Sequence, residues 1–252
     1  MSPFATEVHD AAAEARAAGL DPARLPRHLA IIMDGNGRWA SRQGWERFFG
    51  HRRGADTVRA ITTACVRLGI PRLTLYAFSS ENWQRPAREV AVLMELLVEY
   101  LARELPTLHE QQIRLCAIGR LERLPATAQA ALRAAIAATA GYRRMVLTLA
   151  LSYGGRAELV DACRELARRV AAGELDPEEI DEARLGAALY DGEEVDLVIR
   201  TAGEQRLSNF LLWQTAYAEF ISHPALWPEF TVADFHACLR EYQRRERRFG
   251  RV

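Results

Sequence analysis

The chain has 252 residues, long enough to bury a sizeable core within one α/β domain. Lys+Arg and Asp+Glu both number 33, so there is no global field to recruit nucleic acid, and any anion site must be built locally from arginines. The four cysteines (Cys65, Cys116, Cys163, Cys238) are far apart with no CxxC pair, and the histidines lack HxxxH spacing, which argues against structural zinc and a disulfide framework.

Residues 5–18 are Ala-rich with scattered charges and read as a surface helix closed by Gly19, with a turn-rich connector over Asp21–Pro26. Glu7, Asp10, Glu14 and Arg16 stand where a signal peptide would place a basic segment and then an apolar one. No apolar run approaches the ~20 residues that span a bilayer, so a cytoplasmic protein without a transmembrane segment is expected. Leu29–Met33 reads as a buried strand ending at Asp34, followed by Gly35, Asn36, Gly37, Arg38 and Trp39. Open α/β sheets place ligands at such carboxyl ends. The glycines let bare N–H groups approach an anion, Asp34 suits a hard cation such as Mg²⁺, and Arg38 offers a fork of donors to phosphate. The competing reading is an ordinary Asp-Gly turn. The pattern is neither a Walker loop nor a dinucleotide fingerprint.

A basic and aromatic stretch, Arg42–Arg53, contains Arg47, Phe48, Phe49, Gly50 and His51 and precedes a predicted helix over 55–68. A strand over 73–78 runs into Ser79, Ser80, Glu81, Asn82 and Trp83. Arg85 and Pro86 lead into a long helix to about Leu105 with a broad apolar stripe. Further strands are predicted over 113–118, 145–151 and 195–199, with helices over 126–140, 157–170 and 177–190. A helix over 209–216, a short strand over 220–222 and a helix over 231–247 complete the chain. Alternating strands and helices imply a single α/β domain whose mostly parallel sheet is flanked by helices. In a parallel sheet Asp34, the Ser79–Trp83 cluster, Gly154–Arg156 and the Arg200–Ser208 loop all meet at one edge. Arg38, Arg47, Arg85, Arg200 and Arg206 at that edge suit two diphosphate-like groups, with Ser79, Ser80 and Ser208 as hydroxyl donors. Each has a plain alternative as a surface or capping residue. Trp39, Trp83 and the neighbouring aromatics either line an apolar slot or fill core, and the apolar stripe of the long helix is either core or one wall of a hydrophobic tunnel. Glu219 lies among apolar residues and wants a metal or an arginine.

The residues quoted so far, with Gly50-His51, Leu75–Trp83, Arg85-Pro86, Tyr153–Arg156, Asp196–Gln214, Ala216–Glu219, Leu226–Pro228 and the 245–250 stretch, resemble the cis-prenyltransferase (undecaprenyl diphosphate synthase-like) family from about residue 26 to the end. On this basis residues 1–25 form an N-terminal helix and connector, and 26–252 the catalytic domain. The resemblance implies a homodimeric, Mg²⁺-dependent enzyme that condenses isopentenyl diphosphate with an allylic diphosphate (dimethylallyl, geranyl or farnesyl) into a Z-polyprenyl diphosphate, with peripheral membrane contact for product release. On the family pattern Asp34 manages Mg²⁺ and the allylic diphosphate, which Gly35, Asn36, Gly37 and Arg38 cradle with Arg47 and His51 nearby. Arg200, Arg206 and Ser208 bind isopentenyl diphosphate, and Glu219 helps hold the metal. Asn82 is the position assigned to proton removal, with Ser79, Glu81, Trp83 and Arg85 around the reacting carbons. A neutral amide is a poor base, so Asn82 is expected to orient substrate while Asp34 or a diphosphate oxygen takes the proton. The sequence departs from the family at Ser152, where Asn commonly precedes Tyr, and at Ala202, where Gly or Ser is usual. A short-chain or irregular (branched, head-to-middle) synthase is the alternative. A non-catalytic partner subunit would be expected to lose Asp34 or the Arg200–Ser208 loop, and both are present.

Overall fold

The computed structural model describes residues 10–246. Six strands form one sheet, β1 (His28–Ile32), β2 (Arg72–Ser79), β3 (Ile113–Ile118), β4 (Met145–Tyr153), β5 (Leu197–Arg200) and β6 (Glu219–Ser222), in the order β3-β4-β2-β1-β5-β6. Every neighbouring pair is parallel, as the alternation of elements requires. Successive side chains of β1 divide between the two faces. Leu29 and Ile31 enter the larger core, and Ala30 and Ile32 enter a smaller one with Tyr153, Val198 and Phe210.

The helices are α1 (Ala11–Ala17), α2 (Asn36–Arg42), α3 (Arg47–Leu68), α4 (Ala87–Glu110), α5 (Ala126–Thr139), α6 (Gly155–Ala171), α7 (Glu182–Ala188) and α8 (Val232–Arg244). Asp10 caps α1; positions 5–9 of the predicted N-terminal helix lie outside the described residues, as do 247–250 of the matched stretch near the C-terminus. Ala15 and Leu20 join the larger core, so the N-terminal segment packs on the same core as the rest.

Three predicted elements changed. The basic and aromatic stretch became helical: α2 starts at Asn36, and α3 starts at Arg47, eight residues before the expected helix. Close packing of these two helices is what makes this possible, because a Cβ on Gly50 would lie 1.9 Å from the Asn36 carbonyl oxygen. The predicted helix over 177–190 is a turn at Pro177–Glu179 and then the seven-residue α7, which Asp181 caps. The predicted helix over 209–216 does not form. Ser208, Asn209 and Leu211 have φ of 50°, 63° and 45°, left-handed values incompatible with helix continuation.

Candidate active site

Asp34, Ser79–Trp83, Gly154–Arg156 and Arg200–Ser208 follow β1, β2, β4 and β5, so the parallel sheet delivers all four clusters to its carboxyl edge. At its centre the backbone N–H of Asp34 donates to Thr201 Oγ1 at 2.9 Å, and that hydroxyl donates back to the Asp34 carbonyl at 2.7 Å. Gly35 then turns with φ 101°, and its N–H donates to Asp34 Oδ1 at 2.6 Å. Arg200 is only 4% exposed. It sends Nη2 to Asp34 Oδ2 at 2.9 Å and Nη1 to Ser208 Oγ at 2.7 Å, and also donates to the Arg206 carbonyl. Arg38 reaches Asp34 Oδ1 at 3.3 Å from the other side. Burial pushes the Asp34 carboxyl up, but the hydrogen bond and charge of Arg200, reinforced by Arg38, outweigh it and hold the group below its ordinary range. Asp34 is therefore a carboxylate under working conditions.

The cationic groups exceed the anions that hold them. Glu204 bridges Arg38, at 3.2 Å, and Arg206. Glu89 bridges Arg47, at 3.6 Å, and Arg85, at 3.0 Å. Arg47 lies over Gly37, where a Cβ would come within 2.7 Å of its guanidinium carbon. His51 is held neutral, with its pKa lowered to about 4 by burial and by the charges of Arg85 and Arg47. Asn36 sends Nδ2 to the Met33 carbonyl at 3.1 Å, and its Oδ1 is buried without a partner.

The Ser79–Trp83 cluster is a turn tied by its own side chains. The Ser79 N–H donates to Asn82 Oδ1 at 3.1 Å, which occupies the carbonyl side of that amide and leaves its NH₂. Ser80 approaches Gly154, where a Cβ would meet its hydroxyl at 2.5 Å. Glu81 accepts from Asn209 Nδ2 at 2.9 Å; burial raises its pKa, and this bond, with others from Ser79 and Ser80, brings it below the usual range. Trp83 donates to Ser152 Oγ at 2.9 Å and stands edge-on to Phe78, so Ser152 has a defined bond and φ of 49°. Ala202, the other departure, carries φ 72°, a value glycine adopts without strain. Trp39 is half-buried on α2 and stands edge-on to Trp45 at 5.6 Å.

Sequence reasoning missed Thr201, Glu204, Glu89 and Asn209. Asn209 is the most connected: besides Glu81, its Oδ1 accepts from Arg156 N at 2.9 Å and its carbonyl from Gly155 N at 2.7 Å, capping α6. The sole available signal was a polar residue beside Ser208. Glu219 is not brought to this centre. It opens β6 in register with Leu197, at the amino edge, and pairs with Arg245 at 2.8 Å. Within one chain it and Asp34 lie at opposite ends of the sheet.

An apolar cavity of about 230 Å³ opens beside the centre, between α3, α4 and the sheet. Asn36, His51, Asn82 and Arg85 line its polar part, and Val58, Leu93, Leu97 and Leu149 its apolar part. Among the described residues no group of three or more His, Cys, Asp or Glu could hold a metal ion by itself. The Asp34 carboxylate, its side chain 28% exposed and flanked by arginines of the kind that suit phosphate, nevertheless fits Mg²⁺, which is commonly held by one or two carboxylates plus substrate phosphates. No helix among the described residues is long and apolar enough to cross a membrane.

A family profile described as "Putative undecaprenyl diphosphate synthase" matches residues 32–250. The chain is 49% identical over 252 residues to an isoprenyl transferase of Heliobacterium mobile, covering 99% of this chain and 97% of that one. It is 50% identical over 231 residues to the ditrans,polycis-undecaprenyl-diphosphate synthase ((2E,6E)-farnesyl-diphosphate specific) of Escherichia coli K12, covering 91% of each. Its fold matches the crystal structure of lavandulyl diphosphate synthase from Lavandula x intermedia in complex with dimethylallyl diphosphate, with TM-score 0.88, 39% identity, and coverage of 90% of this chain and 99% of that one. By sequence and by fold, the chain belongs to the prenyltransferase family of the undecaprenyl diphosphate synthases and isoprenyl transferases.

Proposed function

We propose that the protein is a chain-elongating cis-prenyltransferase, joining isopentenyl diphosphate to an allylic diphosphate to give a Z-polyprenyl diphosphate. One observation carries this reading: a carboxylate clamped between Arg200 and Arg38 stands beside an apolar cavity that its chain neighbours Met33 and Asn36 line. Such a site offers charge at one end and a hydrocarbon slot at the other, which is the shape of an allylic diphosphate.

In this reading the allylic diphosphate lies against Gly35, Asn36, Gly37 and Arg38, with Arg47 and His51 beside it. The first N–H groups of α2 have no acceptor within the helix and face that position. Isopentenyl diphosphate takes Arg200, Arg206 and Ser208. Glu204 and Glu89 keep the arginines arranged, and incoming phosphates replace them. The tail extends into the cavity past Val58 and Leu93. Asp34 would hold Mg²⁺, which would supply neutralisation of charge on the departing diphosphate. The arginines and bare N–H groups stabilise the same developing charge without rearrangement, and the allylic carbon is held in line with the isopentenyl double bond. Asn82, whose carbonyl side is occupied by Ser79, orients substrate through its NH₂, and the proton leaves to Asp34 or a diphosphate oxygen. We take the enzyme to be a homodimer. A metal role for Glu219 requires a second copy to carry it to Asp34.

A second reading, a short-chain or irregular synthase, is favoured by the match to the lavandulyl diphosphate synthase structure. The higher identity to the undecaprenyl diphosphate synthases favours elongation. The test supplies Mg²⁺ and labelled isopentenyl diphosphate with dimethylallyl, geranyl or farnesyl diphosphate in turn, and determines product size and connectivity. A ladder ending at a long Z-chain is expected. A single short or branched product would establish the second reading, and no product with any primer would overturn both.

A further inference from the structure

Three segments far apart in sequence meet on one side-chain amide. Asn209 sends Nδ2 to Glu81 Oε1 at 2.9 Å, in the turn after β2 and next to Asn82. Its Oδ1 accepts from the Arg156 N–H at 2.9 Å and its carbonyl from the Gly155 N–H at 2.7 Å, at the start of α6. Its chain neighbour is Ser208, whose hydroxyl accepts from Arg200 Nη1 at 2.7 Å. Glycines make this approach possible. A Cβ on Gly154 would lie 2.5 Å from Ser80 Oγ and 2.7 Å from Asn209 Nδ2, and one on Gly155 would lie 2.8 Å from Leu212 Cγ.

The loop is held in a costly conformation. Ser208, Asn209 and Leu211 are non-glycine residues with left-handed backbone, which persists only where the surroundings impose it. Tyr76 secures the same loop: its hydroxyl donates to the Ser208 and Tyr153 carbonyls at 3.3 Å, and its ring stacks on Phe210 at 4.4 Å. Capping of α6 does not account for an asparagine at this position. An aspartate accepts from a helix N-terminus as well as an asparagine does, and it also tolerates the left-handed region. What the amide adds is a donor facing Glu81, giving a bond to a charged acceptor where an aspartate would set two carboxylates against each other.

We propose that Asn209 is a positioning residue that fixes the Asn82 turn relative to the Arg200–Ser208 loop, so that the two ends of one substrate molecule are held in register. The inference rests on the prenyltransferase reading, in which Arg200 and Ser208 take the diphosphate of isopentenyl diphosphate and Asn82 orients the reacting end. Asn209 acts through its neighbours: Glu81 is joined to it by a hydrogen bond and Ser208 by the chain, so a shift of one end is passed to the other. A misplacement of about 1 Å at a reacting centre costs on the order of 10²-fold in rate.

The test is Asn209→Asp, which keeps the acceptor for α6 and the left-handed backbone while replacing the donor to Glu81 with a like charge. It is compared with Glu81→Gln and with the double variant, in which the new amide at position 81 can donate to the new carboxylate at position 209 and so restore the bond in reverse. Steady-state kinetics, chemical denaturation and amide hydrogen exchange are measured on the full chain of each. Asn209→Asp is expected to lower kcat by about tenfold or more, with the KM for the allylic diphosphate and the denaturation midpoint unchanged. Exchange should quicken at residues 79–84 and stay as in wild type at residues 155–158. The double variant is expected to lose several-fold less than the product of the two single losses. An unchanged kcat, a lowered midpoint accompanying the loss, or single losses that simply multiply in the double variant would each overturn the proposal. Transfer by wild type and Asn209→Asp at equal rates would leave the prenyltransferase reading standing and remove the positioning role. No transfer by wild type would remove that reading, and the exchange pattern would then decide whether Asn209 ties the turn to the loop.

Discussion

At the carboxyl edge of the sheet Arg200 bonds Asp34 at 2.9 Å, and at the amino edge Arg245 bonds Glu219 at 2.8 Å. The two pairs look alike in isolation. Arg245 also bonds Glu241 and the Phe220 carbonyl, so one cation faces two carboxylates and its donors are taken up within the pair's own surroundings. At the carboxyl edge Arg38, Arg47, Arg85, Arg200 and Arg206 share three carboxylates, Asp34, Glu89 and Glu204, and the backbone beside them is glycine-rich and open. What distinguishes a site from a brace is therefore not the ion pair but the surplus of donors around it, next to a cavity that can take the uncharged part of a ligand.

The strongest test of that contrast is Asp34→Asn, which keeps a partner for Arg200 while removing the charge. Turnover is expected to fall on the order of 10²–10³-fold or more, read from steady-state kinetics, with the fold retained by circular dichroism. Arg200→Lys removes the fork that spans Asp34 and Ser208. The KM for isopentenyl diphosphate should then rise roughly tenfold to a hundredfold, the worth of one lost charge-assisted hydrogen bond.

Two glycines separate binding from folding. In Gly37→Ala the new Cβ meets only the movable end of Arg47, so the protein should fold while its KM for the allylic diphosphate rises by about tenfold. In Gly50→Ala the obstacle is the Asn36 backbone itself, and chemical denaturation should show a loss of about 1–3 kcal/mol or more.

His51 gives the site a pH signature. Its folded pKa, about 4, lies below the unfolded value, so the unfolded chain binds more protons between pH 6.5 and about 4. Stability should be full above pH 6.5 and fall across that window as pH drops, by about 3 kcal/mol, and His51→Gln should flatten the fall in denaturation midpoints. The smallest expected effect is at the amino edge. Glu219→Gln should cost less than about 1 kcal/mol of stability. A loss of prenyl transfer at unchanged stability would show that a second copy brings Glu219 to a metal.

Much of the site was legible because strand ends announce themselves. Apolar runs stopping at Asp34, Ser79, Ser152 and Arg200 place four polar clusters on one edge once the sheet is parallel, and the family resemblance assigned roles to them. Local patterns misled where backbone geometry depends on distant contacts. The stretch 42–53 reads as a basic and aromatic segment ahead of a helix, yet Gly50 within it and Gly54 just beyond it let α3 press on Asn36 and Trp227. Residues 209–216 looked helical by composition, but Asn209 is committed to Glu81 and to the start of α6, which holds it left-handed.

By itself, then, the order of apolar and polar residues determined a parallel α/β sheet and which residues gather at its carboxyl edge, since strand periodicity and connection length leave few alternatives. Only the tertiary structure decided how those residues are spent. It gave Asn82 a bond to Ser79, set Glu204 between Arg38 and Arg206, and sent Glu219 to the far edge. The physical reason is range. Propensity and periodicity act over a few neighbours, whereas a partner for a charge is chosen among all groups that the folded chain brings within a few ångströms.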